Sequence, residues 1–235
     1  MRTRLFQSSL LAAMAMADPA FAIGEVSSPN VTKGKLAVEY GVTRTFDTAR
    51  DTAHELELKY GATDRVRPEL KLELDDASGK SATVKAVELS AQYQLFARGE
   101  NWADSAIKVG YAHKPHDPEA LKAKLLLEKK VGGFTHRSTI SAAQEIGQGA
   151  QAGGVEVGVQ WSSRYAVLPE LALGFEVDSD FAQFDGSATQ KHYAGPAVYG
   201  KLNDRLSYEA AYFVGLNRAA ADGAAFVIVE YAIPF

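Results

Sequence analysis

Charged side chains recur at every second position along much of this sequence, and this spacing is its clearest pointer to chemistry. Residues 55–59 read Glu, Glu, Lys in this way, and residues 67–73 read Arg, Glu, Lys, Glu. Successive side chains of a β-strand point to opposite faces, so each set would share one face of its strand. A polar face of this density predicts either a water-filled passage lined by charge or a wall of ion pairs.

Ten charged residues at such positions are predicted to line a common interior. They are Arg67, Lys71, Glu73, Glu88, Lys108, Lys124, Arg137, Glu156, Arg164 and Glu209. Their mixed signs form neither a basic track for anionic sugars nor an acidic ring for cations, which predicts weak selectivity. Because unpaired buried charges are costly, most of these residues are expected to pair across the interior.

Nucleophilic catalysis finds little support in the sequence. A hydrolase would need a serine beside a histidine that a third group orients, and the five histidines are scattered without such a serine motif. Asp178, Asp180 and Asp185 are expected at a strand rim, where an omptin-like protease site or a Ca²⁺ site remains an alternative to a solvated acidic edge. The sequence predicts no enzyme, and no catalytic, cofactor-binding or metal-binding residue.

Composition narrows the remaining classes of protein. The 235 residues contain no cysteine, which excludes disulfides, thiolate metal sites and cysteine nucleophiles. The formal net charge of −4 argues against a nucleic-acid partner, for which a basic footprint is expected. A mean hydropathy of −0.15 suits a wall of strands of which one face meets water.

Period-2 alternation between turn residues predicts twelve strands. They cover residues 34–46, 54–63, 66–76, 83–97, 103–114, 121–131, 134–146, 155–168, 170–181, 191–203, 205–217 and 225–235. Short turns and longer polar loops alternate between them, as in bacterial barrels whose strands are even in number. The predicted fold is therefore all-β, a closed antiparallel up-and-down transmembrane barrel with its apolar faces toward lipid.

Two alternatives accompany this fold. A soluble β-sandwich would also contain many short strands, although it need not form a closed, even set. Residues 116–131 also carry helix signals, with Asp117 as a candidate N-cap and Pro118 at the first helical position. A helix there would interrupt strand pairing, so a strand is favoured.

The two ends of the chain predict secretion and membrane assembly. Residues 1–22 contain Arg2 and Arg4, an apolar stretch and Ala20-Phe21-Ala22, which together predict a signal peptide cleaved near Ala22. The mature barrel would then span residues 23–235. The last ten residues alternate and end on Phe235, which predicts recognition by the barrel-assembly machinery and pairing with strand 34–46.

Three segments carry a resemblance to known proteins: Lys33–Tyr40 (KGKLAVEY), Tyr60–Arg65 (YGATDR) and Leu127–Gly132 (LEKKVG). The chain resembles a family of bacterial outer-membrane β-barrel proteins without assigned function, some of them described as porin-like or transporter-like. The resemblance implies a Gram-negative outer-membrane barrel with outer-membrane lipids around it. Its motifs are turn and strand patterns, so no functional residue is carried over.

The sequence thus leaves three functions in order of preference. The first is a narrow, weakly selective channel for ions or small polar solutes. The second is a non-conducting structural or interaction barrel of the outer membrane, in which the interior charges pair and fill the bore. An outer-membrane hydrolase comes last.

Overall fold

The computed structural model describes residues 23–47, 51–76, 82–96, 99–150, 154–183 and 189–234. The predicted signal peptide, residues 1–22, and the predicted assembly signal at Phe235 lie outside these residues. Within them, no helix is long and apolar enough to cross a membrane.

Twelve β-strands form the described chain, and each end lies within three residues of its predicted position. The strands are β1 (Lys35–Thr45), β2 (Thr52–Tyr60), β3 (Val66–Asp76), β4 (Thr83–Phe96), β5 (Asp104–His113), β6 (Glu119–Val131), β7 (Phe134–Ile146), β8 (Val155–Leu168), β9 (Leu171–Gln183), β10 (Lys191–Lys201), β11 (Leu206–Gly215) and β12 (Gly223–Pro234).

Every strand pairs antiparallel with its sequence neighbours, and the sheet closes on itself. The closing pair is β1 with β12, in register from Lys35 opposite Pro234 to Thr45 opposite Ala224. The predicted closed barrel and its predicted seam are therefore confirmed. A sandwich would leave edge strands, whereas closure removes them.

The segment with helix signals is strand β6. It pairs along its length with β5 and β7. Leu121 and Leu125 point outward, 50% and 36% exposed, while Lys122 lies on the buried face. The alternation of these side chains and the two neighbouring strands outweigh the helix propensity of the residues.

The outer face of the barrel is apolar. Leu89, Val109 and Leu173 are more than half exposed, and the first two lie in the middle parts of their strands. Aromatic side chains are exposed toward both rims, with Tyr60 at one end of the barrel and Phe181 at the other. This band with aromatic residues beside it is the lipid-facing surface of a transmembrane barrel.

The two ends of the barrel differ in their connections. At the turn end, residues 61–65, 97–103, 132–133, 169–170 and 202–205 join the strands. At the loop end the connections are residues 46–51, 77–82, 114–118, 147–154, 184–190 and 216–222. One of the two two-residue connections has Gly132 at φ +58°, a left-handed conformation that glycine adopts without strain.

Candidate functional site

The inner wall of the barrel carries the ten residues that the sequence predicts for the interior. Each occupies the face opposite the exposed apolar side chains of its own strand. The side chains of eight are between 5% and 17% exposed, and Lys124 and Glu156 are half-buried. The structure brings them into one lumen, while their role in conduction stays a prediction.

Several ion pairs join strands that are not neighbours in the sheet. Lys108 on β5 pairs with Glu69 on β3, although β4 lies between these strands. Lys122 on β6 reaches Glu88 on β4 at 2.8 Å, again across one strand. Such contacts form only between side chains on the concave face, so they confirm which face is luminal.

The wall from β1 to β3 holds a compact network of charge. Lys59 Nζ lies 2.7 Å from Glu39 and 3.2 Å from Glu57, and its side chain is 6% exposed. Arg67 Nε lies 2.6 Å from Glu69, whose side chain is fully buried. The predicted pairing of opposite charges is thus observed here, and it offsets the cost of burying these ions.

Several lysines lie close together on the luminal faces of β3, β5 and β6. Lys71 Nζ lies 2.5 Å from Glu73 and 3.5 Å from Glu55. Lys124 lies directly opposite Lys108 in the β5–β6 pairing. Among the described residues Lys124 forms no ion pair, and its charged neighbours include three lysines and Glu88.

The opposite wall, from β8 to β11, contains more acid than base. The Arg164 guanidinium stacks on the Tyr199 ring at 3.8 Å and lies 3.7 Å from Glu209. Tyr199 donates a hydrogen bond to Glu176 at 2.6 Å. Asp178 accepts one from the Gln160 amide at 2.8 Å. The lumen thus has lysines on one side and an excess of acids on the other, so it carries both signs of charge.

Part of the lumen toward the loop end is apolar. Phe213 and Phe226 are 1% exposed and stack at 5.9 Å, and Tyr193 and Ile228 belong to the same buried cluster. These residues come from the inner faces of β10, β11 and β12. Ile23, which precedes the first strand, completes this apolar luminal cluster.

Residues 23–32, called the luminal segment below, run inside the barrel. Thr43 near the loop end of β1 donates a hydrogen bond to the Ile23 carbonyl at 3.1 Å. Near the turn end, Asn30 Nδ2 donates to Asp104 at 3.2 Å and to Glu128 at 3.3 Å. The segment therefore passes through most of the length of the bore.

Side chains from many strands hold the luminal segment. Glu25 forms ion pairs with Lys59 at 3.4 Å and Arg137 at 3.8 Å. The Gln92 amide donates to the Pro29 carbonyl at 2.9 Å, and Gln160 contacts the Gly24 carbonyl at 3.5 Å. Together with the contacts above, β1, β2 and β4 to β8 all touch the segment.

The luminal segment has no counterpart among the predicted strands. Residues 23–33 contain Pro29 and lack alternation, so they join no predicted strand. Ten extended residues reach about 33 Å, which is enough to thread a membrane-sized barrel. The signal available in the sequence is a strand-length stretch between the predicted cleavage site and β1, together with Glu25 as a partner for interior bases.

The aspartates and histidines considered for catalysis are spread over different parts of the barrel. Asp178 and Asp180 lie in the loop-end half of β9 and are 7% and 5% exposed, so they do not form a solvated acidic edge, and Asp185 lies outside the described residues. His54 hydrogen-bonds Tyr40 at 2.9 Å, and His136 stacks on Phe134 on the outer face. No group of three or more potential metal ligands occurs within the described ranges.

Solved structures of outer-membrane channels share this fold. An outer membrane channel from Pseudomonas putida F1 matches with a TM-score of 0.67 and 14% identity, over 86% of this chain and 97% of that one. The KdgM porin, solved in complex with disordered oligogalacturonate, matches with a TM-score of 0.57 and 10% identity, over 84% and 98% of the two chains.

The NanC porin gives a TM-score of 0.56 at 6% identity, over 83% of this chain and 98% of that one. No protein-family model and no curated protein sequence matches the chain. At these identities the likeness concerns the fold, which is that of bacterial outer-membrane barrels, and the residues of the lumen must be interpreted on their own chemistry.

Proposed function

We propose that this protein is a narrow, weakly selective channel of the Gram-negative outer membrane for ions or small polar solutes. The observation that carries the proposal is the separation of side chains by face: the outer face is apolar, and the lumen holds ionisable groups on most strands. Charged groups around a bore replace part of the hydration of a passing ion. The proposal is of transport rather than catalysis.

The proposed narrowness follows from what the bore contains. Long side chains pair across it, and the luminal segment occupies it near both ends. A barrel of this strand number is intermediate between small filled barrels and wide porins. KdgM has been solved with an oligogalacturonate, but mixed charge and a filled bore favour smaller solutes here.

Weak selectivity follows from the balance of charges, and Lys124 is the residue best placed to tune it. A charge without a partner acts on a passing ion with less cancellation than a paired charge does. Lys124 has no ion pair in the described structure and faces the lumen between other lysines. We therefore expect it to favour anions locally.

Replacing Lys124 by glutamine should shift selectivity toward cations. The measurement is the reversal potential of purified protein in a planar bilayer under a salt gradient. Lys129→Gln is the matched control, because Lys129 lies on the outer side of the same strand, over Trp102. Identical shifts in the two variants, or none in Lys124→Gln, would contradict the assignment.

A non-conducting structural barrel is the second candidate, and the luminal segment favours it. A segment bound by seven strands can brace the wall as well as obstruct it. Folded protein that shows no conductance, even after residues 24–31 are deleted, would support this candidate. Its function would then lie in anchoring or in contacts made by the loops.

We also propose that Phe235 addresses the protein to the barrel-assembly machinery. The preceding strand, β12, ends at Pro234 and pairs with β1 to close the barrel. Deleting Phe235 should lower the amount of heat-modifiable protein in outer-membrane fractions, while Leu202→Ala, at an exposed residue between β10 and β11, should not. Equal amounts of folded protein with and without Phe235 would count against this role.

A further inference from the structure

We propose that the luminal segment is a gate, which leaves the bore and returns to it while the barrel wall stays intact. This inference rests on the channel function proposed above. It concerns how that channel opens, and it requires the segment to be a separable part of the structure. Three features of the contacts support that separation.

The first feature is that side chains, rather than strand pairing, hold the backbone of the segment. Val31 N donates to the Gln94 amide oxygen at 2.8 Å, and the Ile23 and Pro29 carbonyls accept from Thr43 and Gln92. None of these bonds belongs to the ladder between strands, which remains complete around the barrel. Withdrawal of the segment therefore breaks no pairing of the wall.

The second feature is that the charged groups gripping the segment also have partners within the wall. Arg137 Nε lies 2.7 Å from Glu128, and Lys59 lies 2.7 Å from Glu39. When Glu25 leaves, both bases keep a carboxylate, and Glu25 itself becomes hydrated. The ions of the wall thus escape the large cost of an unpaired buried charge.

The third feature is the burial of two apolar side chains of the segment, Ile23 and Val26, which favours the closed state. These two residues are called the latch below. Ile23 is 8% exposed within the apolar luminal cluster, and Val26 is 1% exposed. Exposing these side chains to water opposes release. A latch of two aliphatic residues is a modest barrier, so an open minor state can be populated.

The base of the segment is fixed at the turn end. Gly34 N donates to the Gly61 carbonyl at 2.8 Å, and a Cβ added at Gly61 would lie 1.9 Å from the Thr32 carbonyl oxygen. Thr32 is therefore held against the rim while residues before it can swing. Cleavage near Ala22, as predicted, would give the segment the free end that this movement needs.

Loosening the latch should raise open probability. Val26→Asp places a charge where an apolar side chain is buried, so single-channel recordings should show longer and more frequent openings than in the wild type. Thr32→Asp is the matched control, since it adds the same charge to an exposed residue of the same segment. Equal open probabilities in the two variants would overturn the gate.

Cross-linking the segment to the wall should lower the open probability, and the effect can be reversed in the same sample. The chain has no cysteine, so Ile23→Cys with Thr43→Cys creates a unique pair near the loop end, where the Thr43 hydroxyl lies 3.1 Å from the Ile23 carbonyl oxygen. A short reducible thiol cross-linker should suppress conductance, and reductant should restore it. Unchanged conductance on cross-linking would overturn the proposal, and it would leave the channel function standing.

A chemical assay tests movement without conductance. Val26→Cys in liposomes should react with a charged maleimide slowly but to completion, whereas Leu89→Cys, in the middle of the lipid-facing side of β4, should stay unmodified because the charged reagent does not enter the hydrocarbon. If Val26→Cys never reacts, the gate is wrong. If it reacts although no variant conducts, the segment moves and the proposed channel function fails instead.

Discussion

Replacing Glu69 by leucine should destabilise the folded barrel by about 3–5 kcal/mol, the usual cost of removing one partner from a buried ion pair. The Glu69 side chain is fully buried and pairs with both Arg67 and Lys108. The substitution would leave two cations in the wall without their shared carboxylate. Urea unfolding in lipid vesicles, followed by tryptophan fluorescence, measures the change in free energy.

Glu55→Leu is the matched control for this result. Its side chain is 28% exposed, and Lys71, its partner at 3.5 Å, keeps Glu73 at 2.5 Å. The loss of stability should therefore be much smaller. Combining Glu69→Leu with Arg67→Met should recover part of the loss, because Arg67 has no other ion pair among the described residues, whereas Lys108 keeps Glu57 at 3.7 Å. Equal losses for Glu69→Leu and Glu55→Leu would contradict this account of the network.

A charge on the lipid face should have the second largest effect. Leu72→Arg is expected to cost roughly 2–4 kcal/mol, because Leu72 lies near the middle of β3 and an arginine at the bilayer midplane is costly. The residues opposite it, Leu56 and Val87, are 42% and 37% exposed on the outer face. The same unfolding experiment in vesicles measures the loss.

Leu202→Arg makes the same chemical change outside the membrane. Leu202 is 66% exposed in the connection between β10 and β11. The hydration of an arginine side chain is retained there, so stability should hardly change. Equal costs at the two positions would mean that β3 does not present Leu72 to lipid.

The wall of this barrel could be predicted from sequence because each strand carries its own pattern. Alternation predicts a strand at β6 despite its helix signals, and Lys122 and Leu121 lie on opposite faces of that strand. The closing pair followed from the edge problem that a terminal strand poses. These predictions need only the sequence of one strand at a time. The alternation of polar and apolar residues within a strand shows which of its faces can meet lipid, since the opposite choice would place charges in the lipid.

The contents of the bore could not be predicted in the same way. The contact of Lys108 with Glu69 depends on the curvature that brings β3 and β5 together, which no single strand encodes. The luminal segment has no alternation of polar and apolar residues. Its backbone forms hydrogen bonds with Gln92 and Gln94, which lie about 60 residues further along the chain, and nothing in the sequence links them to the segment. The apolar inner face of β12 likewise looks like a second lipid face until Phe213 is seen beside Phe226.

That apolar inner face gives β12 an unusual problem of register. Phe226 and Ile228 point inward while Val227 and Val229 point outward, so hydrophobicity hardly distinguishes the two faces. A slip of one residue exchanges the faces of a strand. Glu230 is the one charged residue of β12, and its bond to Lys35 at 2.7 Å spans the seam. The register of the closing strand therefore depends on one carboxylate, because a slip of one residue would move Glu230 from the lumen to the lipid.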